Sequence, residues 1–352
     1  MYRYLFTMTI AFFILFSISL VYGEENININ NGSLQQNSNN ITTTTKAKSS
    51  FNIAVASDWG CKKDAKKTSE NIQKKNPELV IAAGDLSYKK SADCWFEIIQ
   101  PLKSKMKIAI GDHEYSDTIG GVKSVINQYL KPLNLKNTYY SFDFNNVHFV
   151  FMDPYVDYRA GSEQYQFIEN DLKIASNNPN IDWTFAVESI PIYTSPSKHL
   201  GNSTIRDIYH PLFDKYGVDL VFSSDNHNYQ RTFPIKYNGE SNNSNNPIIA
   251  DKNQNSYHIN DNGKGVIYLI TGTAGRSHYE IKGEAPFIAK QDDKHFGFLN
   301  LDIDDKTIKG TFYANPIEML GYSYVGYHNN NNIIDQFTIL KTNESDNEFD
   351  NL

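Results

Sequence analysis

The chain repeats one pattern along much of its length: a short, continuously apolar segment that ends in a polar loop carrying an acidic residue. FNIAVAS (51–57) is followed by Asp58, and LVIAAG (79–84) is followed by Asp85. Apolar runs of this length between polar helical stretches are typical of strands in a sheet that is covered on both faces. Ligands of such α/β sheets gather in the loops at the strand ends, so we expect these acidic residues to converge.

Further elements follow from the same patterns. We predict surface helices at 62–75 and 93–103, an amphipathic helix at 161–176 and a helix around 203–216. The remaining predicted strands are 106–111, a hairpin of 139–144 and 147–153 around Asn145-Asn146, 181–189, 218–224, 266–272, 297–304, 308–315 and 333–340. Residues 238–256, rich in Asn and Ser, are predicted to be a flexible insertion, and Asn329 to Asn332 a loop tip.

Five strand-end loops carry the chemistry of the chain. A single Asp after a strand is explained by capping of the next helix, but five such loops, three of which also contain His or Tyr, are harder to explain in that way. Carboxylate oxygens combined with imidazole and phenol suit a metal site. The loops are SDWG (57–60), GDLSY (84–88), GDHEY (111–115), VESIP (187–191) and SSDNHNYQR (223–231).

In their order and strand context these loops resemble the motifs of the calcineurin-like metallophosphoesterases. Within that superfamily they resemble the purple acid phosphatase-like branch, of the tartrate-resistant acid phosphatase type. The resemblance covers residues 50 to about 340. It implies an α/β fold: a four-layer αββα sandwich of two mixed β-sheets flanked by helices. It also implies two metal ions that share a bridging carboxylate, and hydrolysis of phosphomonoesters by a metal-bound hydroxide.

The resemblance assigns a first metal site, ferric in the family, to four positions that are intact here: Asp58, the bridging Asp85, Tyr88 and His227. A trivalent metal favours carboxylate and phenolate oxygens, and tyrosinate ligation gives these proteins their colour. His113 resembles the family's proton-donating histidine beside the substrate.

The second metal site, divalent in the family (Fe, Zn, Mn or Mg), differs at three positions. Asp112 replaces the family's Asn, while Ser189 and Asp225 replace two histidines. Family-type ligands contribute three negative charges, whereas the two extra carboxylates bring the total here to five. A more negative site repels phosphate, so we predict impaired hydrolysis.

Other interpretations of these substitutions stay open. The oxygen groups could hold a hard cation such as Mg²⁺, Mn²⁺ or Ca²⁺, with activity retained. Alternatively, the chain is an inactive pseudophosphatase that binds or scaffolds a partner, or a protein that only binds iron. If the chain is active, its ligand is a phosphomonoester or another phosphorylated molecule. The net charge of −7 argues against nucleic acid as a partner.

The two ends of the chain differ from its middle. Residues 1–23 are predicted to be a cleaved signal peptide, with Arg3 before an apolar stretch and small residues at 21–23; a membrane anchor is the alternative. We predict a disordered polar leader at 24–49, a folded domain at 50–342 and an acidic tail at 343–352. No later segment is apolar enough to cross a bilayer. The chain would then reach the secretory pathway and lie outside the cell or in a lysosomal or vesicular lumen.

Secretion changes what other residues imply. Cys61 and Cys94 would form one disulfide, although two buried thiols are the alternative. His148, His210 and His258 belong to no motif and are predicted to be surface or core residues. The candidate glycosylation sites are Asn31, Asn40, Asn202, Asn242 and Asn343.

One predicted helix carries a lysine-rich face, which is more easily explained by exposure to solvent than by anion binding. Its residues are Lys62, Lys63, Lys66, Lys67, Lys74 and Lys75.

Overall fold

Two mixed seven-stranded β-sheets form the centre of the fold. The computed structural model describes residues 50–115, 122–240, 246–259, 265–316 and 332–341. The described strands are β1 (Phe51–Ala56), β2 (Leu79–Ala82), β3 (Met106–Ile108), β4 (Tyr140–Phe144), β5 (Val147–Phe151), β6 (Trp183–Val187), β7 (Leu220–Ser223), β8 (Tyr229–Thr232), β9 (Ile235–Lys236), β10 (Ile248–Ile249), β11 (Ser256–Ile259), β12 (Ile267–Thr271), β13 (Ile288–Asp292), β14 (Gly297–Ile303), β15 (Thr307–Ala314) and β16 (Ile333–Lys341).

The first sheet has the strand order β11-β16-β15-β14-β1-β2-β3, and the second has the order β13-β8-β12-β7-β6-β5-β4. The strands β1, β2 and β3 run parallel, as do β5, β6, β7 and β12. The helices are α1 (Lys63–Lys75), α2 (Asp93–Ile99), α3 (Asp112–Tyr115), α4 (Val122–Leu130), α5 (Glu163–Ala175) and α6 (Ser203–Tyr216).

Side-chain alternation in the strands explains the layers. In β1, Ile53 and Val55 join the apolar core between the two sheets, whereas Ala54 and Ala56 face the opposite way, toward α1 and α2. The outer face of the second sheet packs against α5 and α6 through a third apolar cluster. Strands buried on both faces need continuous apolar sequence, which is the pattern seen in the chain. The predicted four-layer α/β sandwich is confirmed.

The two sheets approach each other at the carboxyl ends of their parallel strands. The N–H of Ser57, just after β1, donates to the carbonyl of Thr271 at the end of β12 (2.9 Å), and their hydroxyls lie 3.2 Å apart. The N–H of Ala274 donates back to the Ser57 carbonyl (2.9 Å). The loops that follow parallel strands of both sheets therefore meet at one edge of the sandwich.

Two predicted elements differ in the structure. The helix predicted over 93–103 ends at Ile99 and continues as a 3₁₀ helix, Gln100–Lys105, because Pro101 cannot supply a backbone donor to an α-helix. The insertion predicted to be flexible at 238–256 contains β10, which pairs with β9, and the start of β11, which pairs with β16. That prediction was wrong for these segments, because strands of two to four residues carry too little periodicity to recognise.

Several predictions concern residues outside the described part of the chain: the signal peptide 1–23, the leader 24–49, the tail 343–352, and the sequons at Asn31, Asn40, Asn242 and Asn343. Asn202 is described, and its side chain caps α6 by accepting from the Ile205 N–H (3.0 Å). Among the described helices, none combines the length and apolarity needed to span a bilayer.

A disulfide joins Cys61, in the loop after β1, to Cys94, in the first turn of α2. It closes a loop across a sequence separation of 33 and ties the first candidate loop to the helix that follows the second. A crosslink of this span restricts the unfolded chain.

We therefore expect the double variant Cys61→Ser/Cys94→Ser to lose about 3–4 kcal/mol of free energy of unfolding. Urea unfolding followed by circular dichroism measures this loss, and the parent protein under reducing conditions serves as the matched comparison. Equal urea midpoints for the parent and the double variant would show that the crosslink does not stabilise the fold.

His148 forms a buried ion-pair cluster on the outer face of the second sheet. Its Nδ1 lies 2.7 Å from Asp143 Oδ1, on the edge strand β4, and its Nε2 lies 2.8 Å from Asp171 Oδ2, on α5. Burial by itself lowers the pKa of His148, but the hydrogen bonds to Asp171 and Asp143 outweigh it and raise the pKa above its ordinary value. The protonated imidazole thus ties an edge strand to the helix that covers it.

The raised pKa of His148 predicts a pH-dependent stability. The stabilisation is fully present below the ordinary pKa of about 6.5 and is lost as the pH rises through the raised folded-state value. At pH 5.5 we expect His148→Asn to lower the free energy of unfolding by on the order of 2 kcal/mol, with a smaller loss at pH 8.5. Urea titrations across this range measure the difference, and His258→Asn, at an exposed histidine, is the control. A loss that does not shrink at high pH would contradict the ion-pair role.

Candidate metal centre

Four candidate ligand positions adopt left-handed backbone. The φ angles are 57° at Asp58, 55° at Asp85, 58° at Tyr88 and 68° at Asp225. Non-glycine residues rarely adopt this region, and such strain concentrates at functional sites. The surrounding loops hold it in place, because the N–H groups of 58, 59 and 60 donate in turn to the carbonyls of 84, 85 and 86 (3.3, 3.0 and 2.9 Å). The first two loops are thus joined as a short ladder at the strand ends.

The four first-site side chains meet at the hydroxyl of Tyr88. Its oxygen lies 2.7 Å from Asp58 Oδ1, 3.1 Å from Asp85 Oδ2 and 2.9 Å from His227 Nε2. One ligand atom each from Asp58, Asp85 and His227 falls within a 4.8 Å cluster. Asp58 Oδ2 is buried and has no hydrogen-bond partner in the described part of the chain. A buried set of carboxylate, phenol and imidazole donors with an unpartnered oxygen fits a hard, highly charged metal ion.

The backbone around His227 orients its imidazole toward this cluster. Its Nδ1 lies 2.7 Å from the carbonyl of Ser277, which can only accept a hydrogen bond, so Nδ1 carries the proton and Nε2 is left free to bind a metal. The ring of Tyr279 stacks on the imidazole at 3.8 Å, and Lys198 Nζ donates to the Tyr279 hydroxyl (2.7 Å). These contacts fix both the tautomer and the plane of the ring.

Glu114 joins the second loop to the third. Its buried carboxylate accepts hydrogen bonds from the N–H groups of Asp85 (3.1 Å), Leu86 (3.0 Å) and Gly111 (3.0 Å). Burial raises the pKa of Glu114 to about 7, although the three backbone donors oppose this shift. Glu114 lies in the motif GDHEY (111–115) without a predicted role, and its hydrogen bonds show that it holds the backbone of Asp85 in place.

Two glycines allow the loops to approach this closely. A Cβ at Gly111 would overlap the carboxylate of Asp85, and a Cβ at Gly272 would lie 2.8 Å from Asp58 Oδ2 while overlapping the backbone of Asn226. Any side chain at these positions would displace candidate ligands.

Among the substituted second-site positions, Asp112 lies beside Asp85. Asp85, Asp112 and His113 each offer a ligand atom within a 4.8 Å cluster. Asp225 Oδ2 lies 3.6 Å from His199 Nδ1, and the side chain of Asp225 is 18% exposed. Ser189 is buried and lies beside the Tyr155 phenol.

The acidic groups of the pocket perturb one another. Burial first, and then the charges of Asp58 and Glu114, raise the pKa of Asp85 well above its usual range. Burial, followed by the charges of Asp58 and Asp112, raises the pKa of Asp225 to about 7. Without a bound cation, the raised pKa values of Asp85 and Asp225 therefore favour their neutral forms, whereas a cation in the pocket would favour the ionised carboxylates.

Three side chains around the pocket were missed by the sequence analysis. Burial, followed by the charges of Asp85 and Asp112, raises the pKa of Tyr155, while a side-chain hydrogen bond with Ser189 acts in the opposite direction. The guanidinium of Arg276 lies 4.4 Å from the ring centroid of Tyr88, and His199 contacts Asp225 as described above. All three lie in loops that follow β5, β6 and β12. The strand-end rule covers these loops, but none of the three residues belongs to a recognised motif.

The histidines outside the motifs lie away from these groups. His210 is buried in the outer cluster of the second sheet, where its Nδ1 lies 2.8 Å from the Tyr193 hydroxyl. His258 is exposed on β11. Neither belongs to a described cluster of potential metal ligands.

Known proteins are similar to this chain in sequence and in fold. Arabidopsis thaliana "Probable purple acid phosphatase 20" is 38% identical over 98 residues, which is 27% of this chain and 23% of that protein. "Probable inactive purple acid phosphatase 24" from the same plant is 29% identical over 190 residues, or 53% of this chain and 29% of that protein. The chain therefore spans less than a third of the length of these two relatives.

A purple acid phosphatase from yellow lupin (Lupinus luteus) seeds superposes with a TM-score of 0.67 at 22% identity, over 83% of this chain and 54% of that one, which shows the shared fold. The family model described as calcineurin-like phosphoesterase matches residues 51–229, about half of the chain. The chain belongs to the calcineurin-like phosphoesterase family, and the relatives described here are purple acid phosphatases, one of them named as inactive.

Proposed function

We propose that the chain is a purple acid phosphatase-like phosphomonoester hydrolase of the secretory pathway, with activity impaired by its second site. The observation that carries the proposal is the meeting of Asp58, Asp85 and His227 around the Tyr88 hydroxyl. These four side chains would hold a trivalent metal, for which we propose Fe³⁺. When bound, that metal supplies positive charge to the phosphoryl oxygens and lowers the pKa of water.

The remaining groups act from the open side of the pocket. The ring of His113 lies against that of Tyr88 with 4.0 Å between centroids, and its side chain is 33% exposed. It can therefore reach a substrate and donate a proton to the leaving oxygen. Arg276 lies over the same phenol ring and provides a cation beside the incoming phosphate.

The second site is the reason to expect slow turnover. Asp112 and Asp225 add negative charge where the phosphate must approach, and Ser189 is a poor ligand at neutral pH. Preorganised positive charge around the phosphoryl group is a large part of catalysis in sites of this kind, so this change lowers the rate.

The second candidate function is a pseudophosphatase that binds or scaffolds a partner. The three substituted positions favour it, as does the similarity to a relative named as inactive. Turnover and metal content together distinguish it from the first proposal.

We expect the secreted protein to carry iron and to hydrolyse a chromogenic phosphomonoester weakly between pH 4 and 7. Asp85→Asn removes the carboxylate shared by both clusters and should lower the rate by about 100-fold or more. The charge-matched control is Asp302→Asn, because Asp302 is an exposed acidic residue near the carboxyl end of β14. Colorimetric assay and metal analysis measure the outcome. A parent rate no higher than that of Asp85→Asn would favour the pseudophosphatase.

Restoring the family ligands tests the cause of the impairment. We expect the triple variant Asp112→Asn/Ser189→His/Asp225→His to raise the rate by about tenfold or more, because it removes two negative charges and adds two imidazoles. Since Ser189 is buried, circular dichroism must first show that the variant is folded. A folded variant that binds two metals without faster turnover would show that the missing ligands are not the cause.

A further inference from the structure

Basic residues from three separate segments lie beside the first two candidate loops. Two lysines stand at the start of α1, directly after the loop that carries Asp58, and two more follow Tyr88 in the second loop. All four are exposed, and the loop after β12 adds a partly buried arginine. We call this set the basic rim: Lys62, Lys63, Lys89, Lys90 and Arg276.

Short contacts between the first two loops hold the lysine segments together. The N–H of Gly60 donates to the carbonyl of Leu86 (2.9 Å), and Cys61 Sγ lies 3.4 Å from the carbonyl of Ser87. The disulfide to α2 fixes the same point. Each lysine pair begins one or two residues after these contacts, so the two pairs lie on the same side of the candidate metal centre.

Arg276 reaches the same side from the second sheet. Its N–H donates to the carbonyl of Asp58 (2.9 Å), and its guanidinium lies 4.4 Å from the ring centroid of Tyr88. A Cβ built at Gly60 would lie 3.8 Å from Arg276 Cδ, so the arginine stem runs beside the first loop. Residues that are far apart in the chain thus form one basic surface at the edge of the pocket.

The charge of the basic rim is largely uncompensated. None of its five side chains forms an ion pair or a hydrogen bond with the part of the chain that the structure describes. The acidic residues of segments 61–64 and 89–93 are Asp64 and Asp93, and Asp93 accepts from the hydroxyl of Ser91 (2.6 Å). The rim and these two acids together carry an excess of three positive charges, in a chain whose net charge is −7.

A surface of this kind attracts anions. On α1 alone, the lysines are explained by exposure to solvent, but unneutralised cations from three segments produce a joint positive potential. If one phosphate of a ligand occupies the metal centre, a second phosphate on the same molecule must lie outside the pocket. On the side of the first two loops it would meet ammonium and guanidinium groups, which are common phosphate ligands in proteins.

We propose that the basic rim binds a second phosphate group of the substrate, so that the chain prefers esters with two or more phosphates to simple monophosphates. The inference deepens the proposed function and rests on its placement of the reacting phosphate at the metal centre. Its test measures binding, so a protein that selects bisphosphates without hydrolysing them would refute only the proposed function.

The experiment compares fructose 1,6-bisphosphate with fructose 6-phosphate, which differ by one phosphate group. Calorimetry on the purified full-length protein, with its resident metals counted, gives both affinities. At low ionic strength we expect the parent to bind the bisphosphate about tenfold more tightly than the monophosphate. In about 0.5 M salt this ratio should fall toward one, because screening weakens attraction between exposed charges.

Removing the lysines should remove the preference. In the quadruple variant Lys62→Gln/Lys63→Gln/Lys89→Gln/Lys90→Gln we expect the ratio of the two affinities to fall to about twofold or less, because neutral side chains no longer attract the second phosphate. Affinity for the monophosphate should change much less. Since all four positions are exposed, the melting temperature should remain close to that of the parent.

Two matched variants separate charge from structure. Replacing the same four lysines by arginine keeps the charge and should keep the ratio near that of the parent. A control variant with four other exposed lysines changed to Gln alters the net charge equally and should also keep the ratio. Its positions are Lys136, Lys173, Lys252 and Lys309.

Two results would overturn the proposal. One is a ratio that is the same in the parent and in the quadruple variant, whether or not the parent prefers the bisphosphate. The other is a ratio that falls as much in the control variant as in the quadruple variant, which would show an effect of net charge alone.

Discussion

Negative charge gathered at one buried point is the constraint on which the rest of this structure depends. Asp58 and Asp85 each place a carboxylate oxygen in one 4.8 Å cluster, and burial raises the pKa of Asp85 well above its usual range. A cation resolves this conflict, whereas protein contacts alone leave Asp58 Oδ2 unpartnered among the described residues. The left-handed backbone at these positions is a further cost, and the pocket persists because the ladder between the first two loops holds it.

The layers of the fold provide the rigidity that such a pocket requires. Strands buried on both faces end at a common edge, and β1 and β12 are joined there across the two sheets. Farther inside, Arg231 of β8 forms a buried pair with Asp335 of β16 (2.6 Å), and the Tyr229 hydroxyl donates to the same carboxylate (2.8 Å). This pair also crosses from one sheet to the other, so each sheet restrains the position of the other. The disulfide adds a covalent tie beside the first loop.

Much of the fold and of the candidate metal centre could be predicted because short stretches of sequence indicate the strands and the motif residues that follow them. The apolar runs predicted the buried strands, and motif residues such as Tyr88 and His227 stood directly after them. Tyr155 and Arg276 were missed since a lone Tyr or Arg after a strand has no distinguishing pattern. The short strand β10 was missed for a related reason: a two-residue strand has no period, and only its pairing with β9 defines it.

By itself, the sequence determined which chemical groups are available: carboxylates, a phenol and an imidazole in family order, with oxygen groups in place of one amide and two imidazoles. Only the tertiary structure decided which of them share a pocket. Tyr88 and His227 are 139 positions apart and come from loops of different sheets, so their 2.9 Å contact exists only when those sheets are packed. The same packing decided that Glu114 supports Asp85 and that Ser189 is buried, because burial and pairing depend on neighbours that are distant in the chain.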